Sequence, residues 1–132
     1  MTQTLQESVL ELKELVFDEI HFVRHGFKNE NKPSFTLGIA IEENKKDDMY
    51  RVVLQLEGKK EKEFSSQITM SGYFAFRACN DYSEEDKKEM INRNAVAILM
   101  PYLRSELSIL TAQPNTDSIV LPPFNINSLF DK

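Results

Sequence analysis

The residue types that carry most enzyme chemistry are few in this sequence and widely separated. His21 and His25 are four residues apart, a spacing that brings side chains together on a helix, but the β-branched and aromatic residues around them predict a strand. On a strand this spacing separates the two histidines by about 13 Å, which is too far for one metal ion. Solvent-facing histidines therefore explain the pair better than a metal site does.

The other candidates for chemistry also have simple explanations. Cys79 is the single cysteine and has no histidine near it in sequence, so it is better explained as a small buried thiol than as a nucleophile. The acidic run from Glu84 to Asp86 follows Ser83 and is explained by capping of a helix. The glycines are scattered, so no phosphate-binding loop is present. We therefore predict a protein that is not an enzyme, with no catalytic residues, no metal and no cofactor.

Size and charge narrow the class of protein further. A chain of 132 residues with one cysteine fits a single domain, residues 1–132, that folds without disulfides in a reducing compartment. The first residues lack the basic region and apolar run of a signal peptide, and nowhere do about 18 apolar residues follow one another. A net charge of -5 without a basic stripe disfavours nucleic acid and anionic membranes as partners. We expect a soluble, cytoplasmic protein.

The element around which the chain is organised is a long helix, predicted over residues 83–112. Ser83 and Asp86 fit a capping box, which marks its start. Pro101 lies inside it, where proline costs about 3 kcal/mol unless the helix kinks or its packing compensates. The apolar stripe is too wide for one face, so we expect burial on two sides, the second against another subunit. The residues predicted for that second contact are Val96, Met100, Leu103, Leu107 and Leu110.

Four strands are predicted before the helix, because large apolar residues alternate with small or polar ones and the connections between them are polar. Their predicted ranges are 15–24, 35–41, 50–57 and 64–77, and residues 4–14 are predicted as a short helix or frayed arm that leads into the first strand. Polar connections between consecutive strands imply an antiparallel meander. The predicted fold class is therefore α+β, a four-stranded antiparallel meander sheet with one long C-terminal helix packed on one face.

Simple alternation assigns the two faces of the first strand. It predicts Val16, Ile20 and Phe22 on one side, with Phe17 and His21 on the other.

Large apolar residues are more numerous than one helix on a small sheet could cover. Oligomerisation could bury them, or they could form an apolar groove for other polypeptides, and both interpretations stay open on composition alone. The residues that raise the question are Phe27, Phe35, Tyr73, Phe74, Phe76 and Phe124.

Two stretches, ILMPYLRSELSILTAQ (98–113) and VLPPFNINSLF (120–130), resemble the SecB protein-export chaperones. That family has a Phe-Pro-Tyr-x-Arg-Glu type of helix core, followed by a Leu-x-Pro-x-Asn-hydrophobic segment that ends in Leu-Phe. DEIHF (18–22) is similar to the first-strand signature of the family, and the resemblance extends over nearly the whole chain from about Leu12. The matching residues near the C-terminus are Pro101, Tyr102, Arg104, Pro122, Pro123, Asn125, Leu129 and Phe130.

The resemblance implies a chaperone for unfolded or precursor polypeptides in protein export. It also implies helix-mediated assembly into a homo-oligomer, either a dimer or a tetramer, and long apolar grooves that hold the bound chain. In this sequence a polar crossing loop, predicted over residues 25–33, and the second strand supply the expected peptide-binding residues, which are Phe27, Phe35, Leu37, Ile39 and Ile41.

Departures from the family pattern disfavour contact with the translocation ATPase. The family usually continues into a second helix and a tail that engages this ATPase, whereas this sequence reaches Lys132 directly after its Leu-Phe pair. The acidic sheet face used for the same contact has Val23, Ser65 and Gln67 at positions where acidic or apolar residues are expected. A chaperone with one dedicated client, such as an antitoxin, and a structural or adaptor homo-oligomer are therefore the alternatives, with a small-molecule binder third.

Overall fold

A computed structural model describes residues 9–77 and 82–122. The helical segment is continuous and contains one π-helical turn. The strands are β1 (Leu10–Arg24), β2 (Ser34–Asn44), β3 (Met49–Lys60) and β4 (Phe64–Phe76), and the helical segment consists of α1 (Glu84–Met90), the π-helical turn (Ile91–Ala95) and α2 (Val96–Thr111). Predictions made for residues 4–8, Cys79, Pro123, Phe124, Asn125, Leu129 and Phe130 lie outside the described residues.

The predicted α+β class, with a four-stranded antiparallel sheet and one long helix on one face, is confirmed, but the strand order differs from a full meander. The order is β1-β4-β3-β2, so only β2, β3 and β4 form the meander and β1 pairs with β4. Residues 25–33 therefore cross the end of the sheet from one edge to the other. Three strand spacings are about 14 Å, which nine residues span easily.

The second of two bulges in β1 overturns the prediction for the faces of Val16 and Phe17. The register shifts between Leu12 and Glu14 and again between Phe17 and Glu19, and each shift inserts one residue. Phe17 is thereby paired with the buried Met70 and lies on the helix side together with Ile20 and Phe22, while Val16 lies on the opposite face. The strand also begins at Leu10, so the prediction of a helix or arm was wrong for residues 10–14.

The helix predicted over residues 83–112 is confirmed, and its start is capped as expected. The hydroxyl of Ser83 accepts a hydrogen bond from the backbone N–H of Asp86 at 3.1 Å. Pro101 lies on the exposed side of α2, and the buried Leu99 and Leu103 on either side of it pack into the core. That packing holds the helix together across the missing backbone donor.

The core lies between the helix and the two central strands. Every second residue of β3 and β4 is buried there, whereas residues on the helix side of β1 and β2 are mostly half-buried. The fully buried apolar side chains of the central strands are Val52, Leu54, Leu56, Phe64, Ile68, Met70 and Phe74. The helix thus covers the middle of the sheet and leaves its edges partly open.

Gly72 gives a test of this packing. An added Cβ at Gly72 would lie 2.6 Å from Cδ2 of Leu99 and 2.9 Å from Cε2 of Phe74, so Gly72→Ala should lower the free energy of unfolding by about 1–2 kcal/mol through overpacking. Gly38→Ala is the matched control, because its Cβ would meet only the carbonyl oxygen of Gln55 at 3.9 Å. Urea denaturation of both variants measures the difference. Equal stability of the two would contradict the close contact between helix and sheet.

Candidate functional site

The apolar residues of β2 form one continuous row on the helix side of a sheet edge. They pair with Gly58, Leu56, Leu54 and Val52 of β3, whose side chains or backbone lie on the same buried face. Within the described chain β2 has a neighbouring strand on one side only. This row therefore packs against the core on that side and stays partly open to solvent on the other. We name Phe35, Leu37, Ile39 and Ile41 the β2 row.

A glycine fixes one end of the β2 row. A Cβ at Gly58 would lie 2.5 Å from Cε1 of Phe35 and 2.8 Å from the hydroxyl of Ser66. The ring of Phe35 therefore occupies the space that a side chain at position 58 would need. At the opposite end the row runs into a depression of about 250 Å³ lined in part by Ile41, Tyr50 and Ile91. The β2 row therefore extends along the sheet edge from Phe35 to this depression, whose remaining lining is polar: Glu43, Lys88 and Asn92.

Phe27 is the most exposed large apolar side chain of the described residues, with 83% of its surface open. It lies in the crossing loop, residues 25–33. One flank of this loop is fixed to the β3–β4 turn, because the backbone N–H groups of His25 and Gly26 donate to the carbonyl oxygen of Glu63 at 2.7 and 3.2 Å. The backbone N–H of Asn29 donates to Oε1 of Glu63 at 2.8 Å.

The other flank of the crossing loop is fixed to the turn that follows the helix. The backbone N–H of Lys28 donates to Oδ1 of Asn115 at 2.7 Å, and its Nζ lies 2.7 Å from Oδ1 of Asp117. The hydrogen bond between the side chains of Lys28 and Asp117 lowers the pKa of the Asp117 carboxyl and raises the pKa of the Lys28 ammonium group. Arg24 adds hydrogen bonds to the hydroxyl of Thr116 and, at 3.4 Å, to the carbonyl oxygen of Pro114. Phe27 therefore lies between two anchored stretches of backbone.

A buried ion pair supports the first anchor. Nζ of Lys60 lies 2.9 Å from Oε1 of Glu63, and both side chains are almost fully buried. Burial raises the pKa of Glu63, but the hydrogen bonds from Lys60 and from the backbone of Asn29 outweigh it and hold that pKa below its usual value. The carboxylate is therefore ionised at neutral pH. Its Oε2 has no hydrogen-bond partner within the described part of the chain.

The second apolar stripe of the helix is covered largely within the chain itself. Val96, Met100, Leu103 and Leu107, predicted to contact another subunit, are buried in the core of one chain, and Leu110 is half-buried. The exposed apolar side chains in this region are instead Tyr102, Ile109 and Val120, the last of which follows the helix.

A segment of the chain that follows the helix contributes to the cover of α2. Residues 118–122 return along α2, where the hydroxyl of Ser108 donates to the carbonyl oxygen of Ile119 at 2.8 Å. Nε of Arg104 donates to the carbonyl oxygen of Leu121 at 3.0 Å, and the side chain of Leu121 is fully buried in the core. The sequence analysis did not anticipate that this segment packs on the helix.

The residues first considered for chemistry lie at the surface. His21 is exposed and 3.3 Å from a carboxylate oxygen of Glu19, and His25 is exposed and 2.9 Å from the hydroxyl of Ser65. Across residues 9–77 and 82–122, no three His, Cys, Asp or Glu residues are grouped so that they could hold a metal ion. In the same residues, no helix has the length and apolar character needed to span a bilayer.

In general, apolar surface that stays open at a sheet edge is a feature of sites that bind other polypeptides. The chain belongs to the SecB family, because the sequence model of the family described as preprotein translocase subunit SecB matches residues 3–132. The sequence-based prediction of a SecB-like chaperone is thereby confirmed.

Comparison with solved structures supports the same fold. A SecB-like chaperone of Mycobacterium tuberculosis, Rv1957, solved in complex with a ChAD peptide from the HigA1 antitoxin Rv1956, superposes with a TM-score of 0.75 at 11% identity, over 88% of this chain and 91% of the other. A protein of unknown function from Streptococcus agalactiae gives a TM-score of 0.42 at 12% identity, over 86% of this chain and 97% of the other. No curated protein matches the sequence.

Proposed function

We propose that this chaperone holds unfolded or extended polypeptides along the β2 row and against Phe27. The observation that carries the proposal is a row of four large apolar side chains at an open sheet edge. Soluble proteins seldom leave such apolar surface exposed unless it binds a partner. The peptide bound to the Mycobacterium tuberculosis relative supports it, since that complex joins the same fold to a polypeptide ligand.

Binding of this kind is weak at each contact and broad in sequence preference. Burial of apolar surface contributes about 25 cal/mol per Å², so one client side chain contributes a few kcal/mol at most. Several grooves in one oligomer would then engage a long client together, and affinity should rise steeply with client length. Long unfolded chains are therefore the expected clients.

A charge placed in the β2 row tests the site. Leu37→Arg should weaken client binding about tenfold or more, because it removes apolar contact and places a charge where an apolar client side chain would lie. Thr36→Arg is the matched control, since it adds the same charge on the opposite, exposed face of the same strand. Suppression of aggregation of a slow-folding client, with circular dichroism to confirm the fold, measures both. If folded Leu37→Arg protein protects the client as well as Thr36→Arg protein does, the β2 row is not the site.

We propose further that copies of this chain associate through the exposed side of α2 as a dimer or tetramer. Pro101, Ile109 and Val120 line one shallow depression there together with Arg104, Ser105 and Ser108, and Tyr102 is also exposed on α2. Of the residues first predicted for the contact, Leu110 keeps the most surface beside this patch.

Ile109→Glu tests the association, because 67% of Ile109 is exposed and a carboxylate in an apolar interface must be desolvated. Light scattering at micromolar concentration should show a smaller particle, approaching the 15.3 kDa monomer. Thr36→Glu adds the same charge on the sheet and should leave the particle mass unchanged. An unchanged mass for Ile109→Glu would exclude this face as the contact.

A dedicated client is the second candidate, favoured over an export role by the outer face of the sheet. Val23 pairs with Ser65 and His21 pairs with Gln67 on the face opposite the helix, so the expected acidic surface for the translocation ATPase is interrupted there. We therefore propose a non-enzymatic, cytoplasmic chaperone without a requirement for that ATPase. A dedicated chaperone should bind one natural client at least tenfold more tightly than unrelated unfolded chains of equal length, whereas a generalist should not.

A further inference from the structure

We propose that Glu63 is a positioning residue of the client site: its buried carboxylate holds the crossing loop so that Phe27 is presented to a bound polypeptide. This inference rests on the proposed function, in which Phe27 contacts the client. It adds a role for a residue that is itself fully buried and more than thirty positions away from Phe27 in sequence.

The turn that contains Glu63 does not need the carboxylate for its own closure. Its backbone closes through the N–H of Glu63 and the carbonyl oxygen of Lys60 at 3.0 Å, and Lys62 supplies the left-handed residue with a φ of 63°. The carboxylate instead accepts the backbone N–H of Asn29, two residues after Phe27 in the crossing loop. The ammonium group of Lys60 neutralises the charge of this carboxylate.

A buried ion pair gives little net stability compared with apolar residues of the same size. Stability alone therefore does not explain why Lys60 and Glu63 are buried here. Here the pair provides a fixed acceptor for the crossing loop at a point where apolar side chains would provide none. The backbone carbonyl of the same residue accepts from His25 and Gly26, so Glu63 contacts the loop on both sides of Phe27.

The close approach of the loop backbone to the turn is an independent sign of fixed geometry. A Cβ at Gly26 would overlap the carbonyl oxygen of Lys62, at a separation closer than real Cβ contacts. Any side chain at Gly26 must therefore push the loop away from the turn. With Lys28 held by Asn115 on the other side, the backbone of Phe27 is fixed while its ring stays open to solvent.

A fixed backbone with an exposed ring favours binding, because less freedom is lost when the client arrives. Immobilising a side chain on binding costs conformational entropy, and ordering a loop adds to this cost. Releasing the crossing loop from Glu63 should therefore weaken the client complex without removing any group that contacts the client.

The experiment uses Phe27→Trp as a reporter, since the chain has no tryptophan of its own. In this background, Lys60→Met with Glu63→Leu removes the acceptor of the Asn29 N–H and leaves no buried charge, so we expect the fold to be retained, which circular dichroism checks. Gly26→Ala disturbs the loop from its own side. Glu61→Ala is the control, because it removes an exposed carboxylate of the same turn but keeps the carbonyl oxygen that binds Asn29.

The readouts are the fluorescence anisotropy of the introduced tryptophan without client and the Kd for a permanently unfolded, reduced and alkylated protein. We expect lower anisotropy in the Lys60→Met, Glu63→Leu variant and in Gly26→Ala, and a Kd weakened about three- to tenfold in both, with Glu61→Ala unchanged. The proposal is overturned if either quantity in the Lys60→Met, Glu63→Leu variant matches the Glu61→Ala control. If the Phe27→Trp parent itself binds no unfolded protein, the proposed function fails, while anisotropy still decides whether Glu63 holds the loop.

Discussion

Glu63→Ala should lower the free energy of unfolding by about 3–5 kcal/mol, because it leaves the ammonium group of Lys60 buried without a partner. Glu63 is fully buried and Lys60 nearly so, and Nζ of Lys60 lies 2.9 Å from Oε1 of Glu63. The same substitution also removes the acceptor for the backbone of Asn29. Urea denaturation followed by circular dichroism measures the loss.

The double variant Lys60→Met, Glu63→Leu is the control for this explanation. It fills similar space without any charge, so its stability should return to within about 1–2 kcal/mol of the parent. A double variant as unstable as Glu63→Ala would show that the ion pair is not the cause.

The ion pair also predicts how stability depends on pH. The pKa of Glu63 is lower in the folded chain than its usual value of about 4.5, so its contribution is present above that value and is lost as the pH falls through the folded-state pKa. The double variant should lack this part of the acid-induced loss. Parallel acid titrations of parent and double variant that superimpose would contradict the assignment.

Phe74→Ala should lower the free energy of unfolding by about 3–5 kcal/mol, because it removes a large side chain from the centre of the core and leaves a cavity. Phe74 is fully buried, and its ring lies close to Gly72 beneath the helix. Thermal and urea unfolding of the purified variant measure this effect.

Phe27→Ala is the matched control, since it is the same chemical change at a side chain that is 83% exposed. It should change stability by less than about 0.5 kcal/mol. Its effect should appear in client affinity instead, where the loss of one aromatic contact weakens binding. A large loss of stability in Phe27→Ala would mean that the ring is part of the core rather than of the client site.

Local patterns in the sequence were sufficient where the structure depends on local interactions. The capping residues Ser83 and Asp86 fix the start of the helix, and strict alternation in the second strand puts the β2 row on one face. The β2 row contains no bulge, so a period of two residues describes it fully.

Features that depend on distant contacts could not be predicted in the same way. Strict alternation fails in β1, where one inserted residue near Asp18 exchanges the faces of Val16 and Phe17 relative to Ile20 and Phe22. The pairing of β1 with β4 depends on which edge of the three-stranded meander β1 joins, and the polar connections carry no information about that edge. Alternation alone cannot show that the crossing loop is held by a hydrogen bond from the backbone of Asn29 to the buried carboxylate of Glu63.

The wide apolar stripe of the helix shows a further limit. Its width correctly indicates burial on more than one side, but periodicity does not say what supplies the second cover. The chain itself supplies much of it, through Leu121 and the hydrogen bonds of Arg104 and Ser108 to the returning segment. The apolar surface that α2 leaves exposed is consequently smaller and lies around Ile109, where we propose the contact with another subunit.

The measurement that tests the central claim most directly compares one client protein in two states. Fluorescence titration of the assembled protein with a labelled client, once permanently unfolded and once native, gives both affinities under the same conditions. We predict a Kd for the unfolded form at least about a hundredfold lower than for the native form, and a further decrease with client length, because only extended chains expose enough apolar surface to occupy the β2 row in several subunits. Equal affinity for the two forms, or no binding of the unfolded form, would contradict a chaperone that acts through this surface.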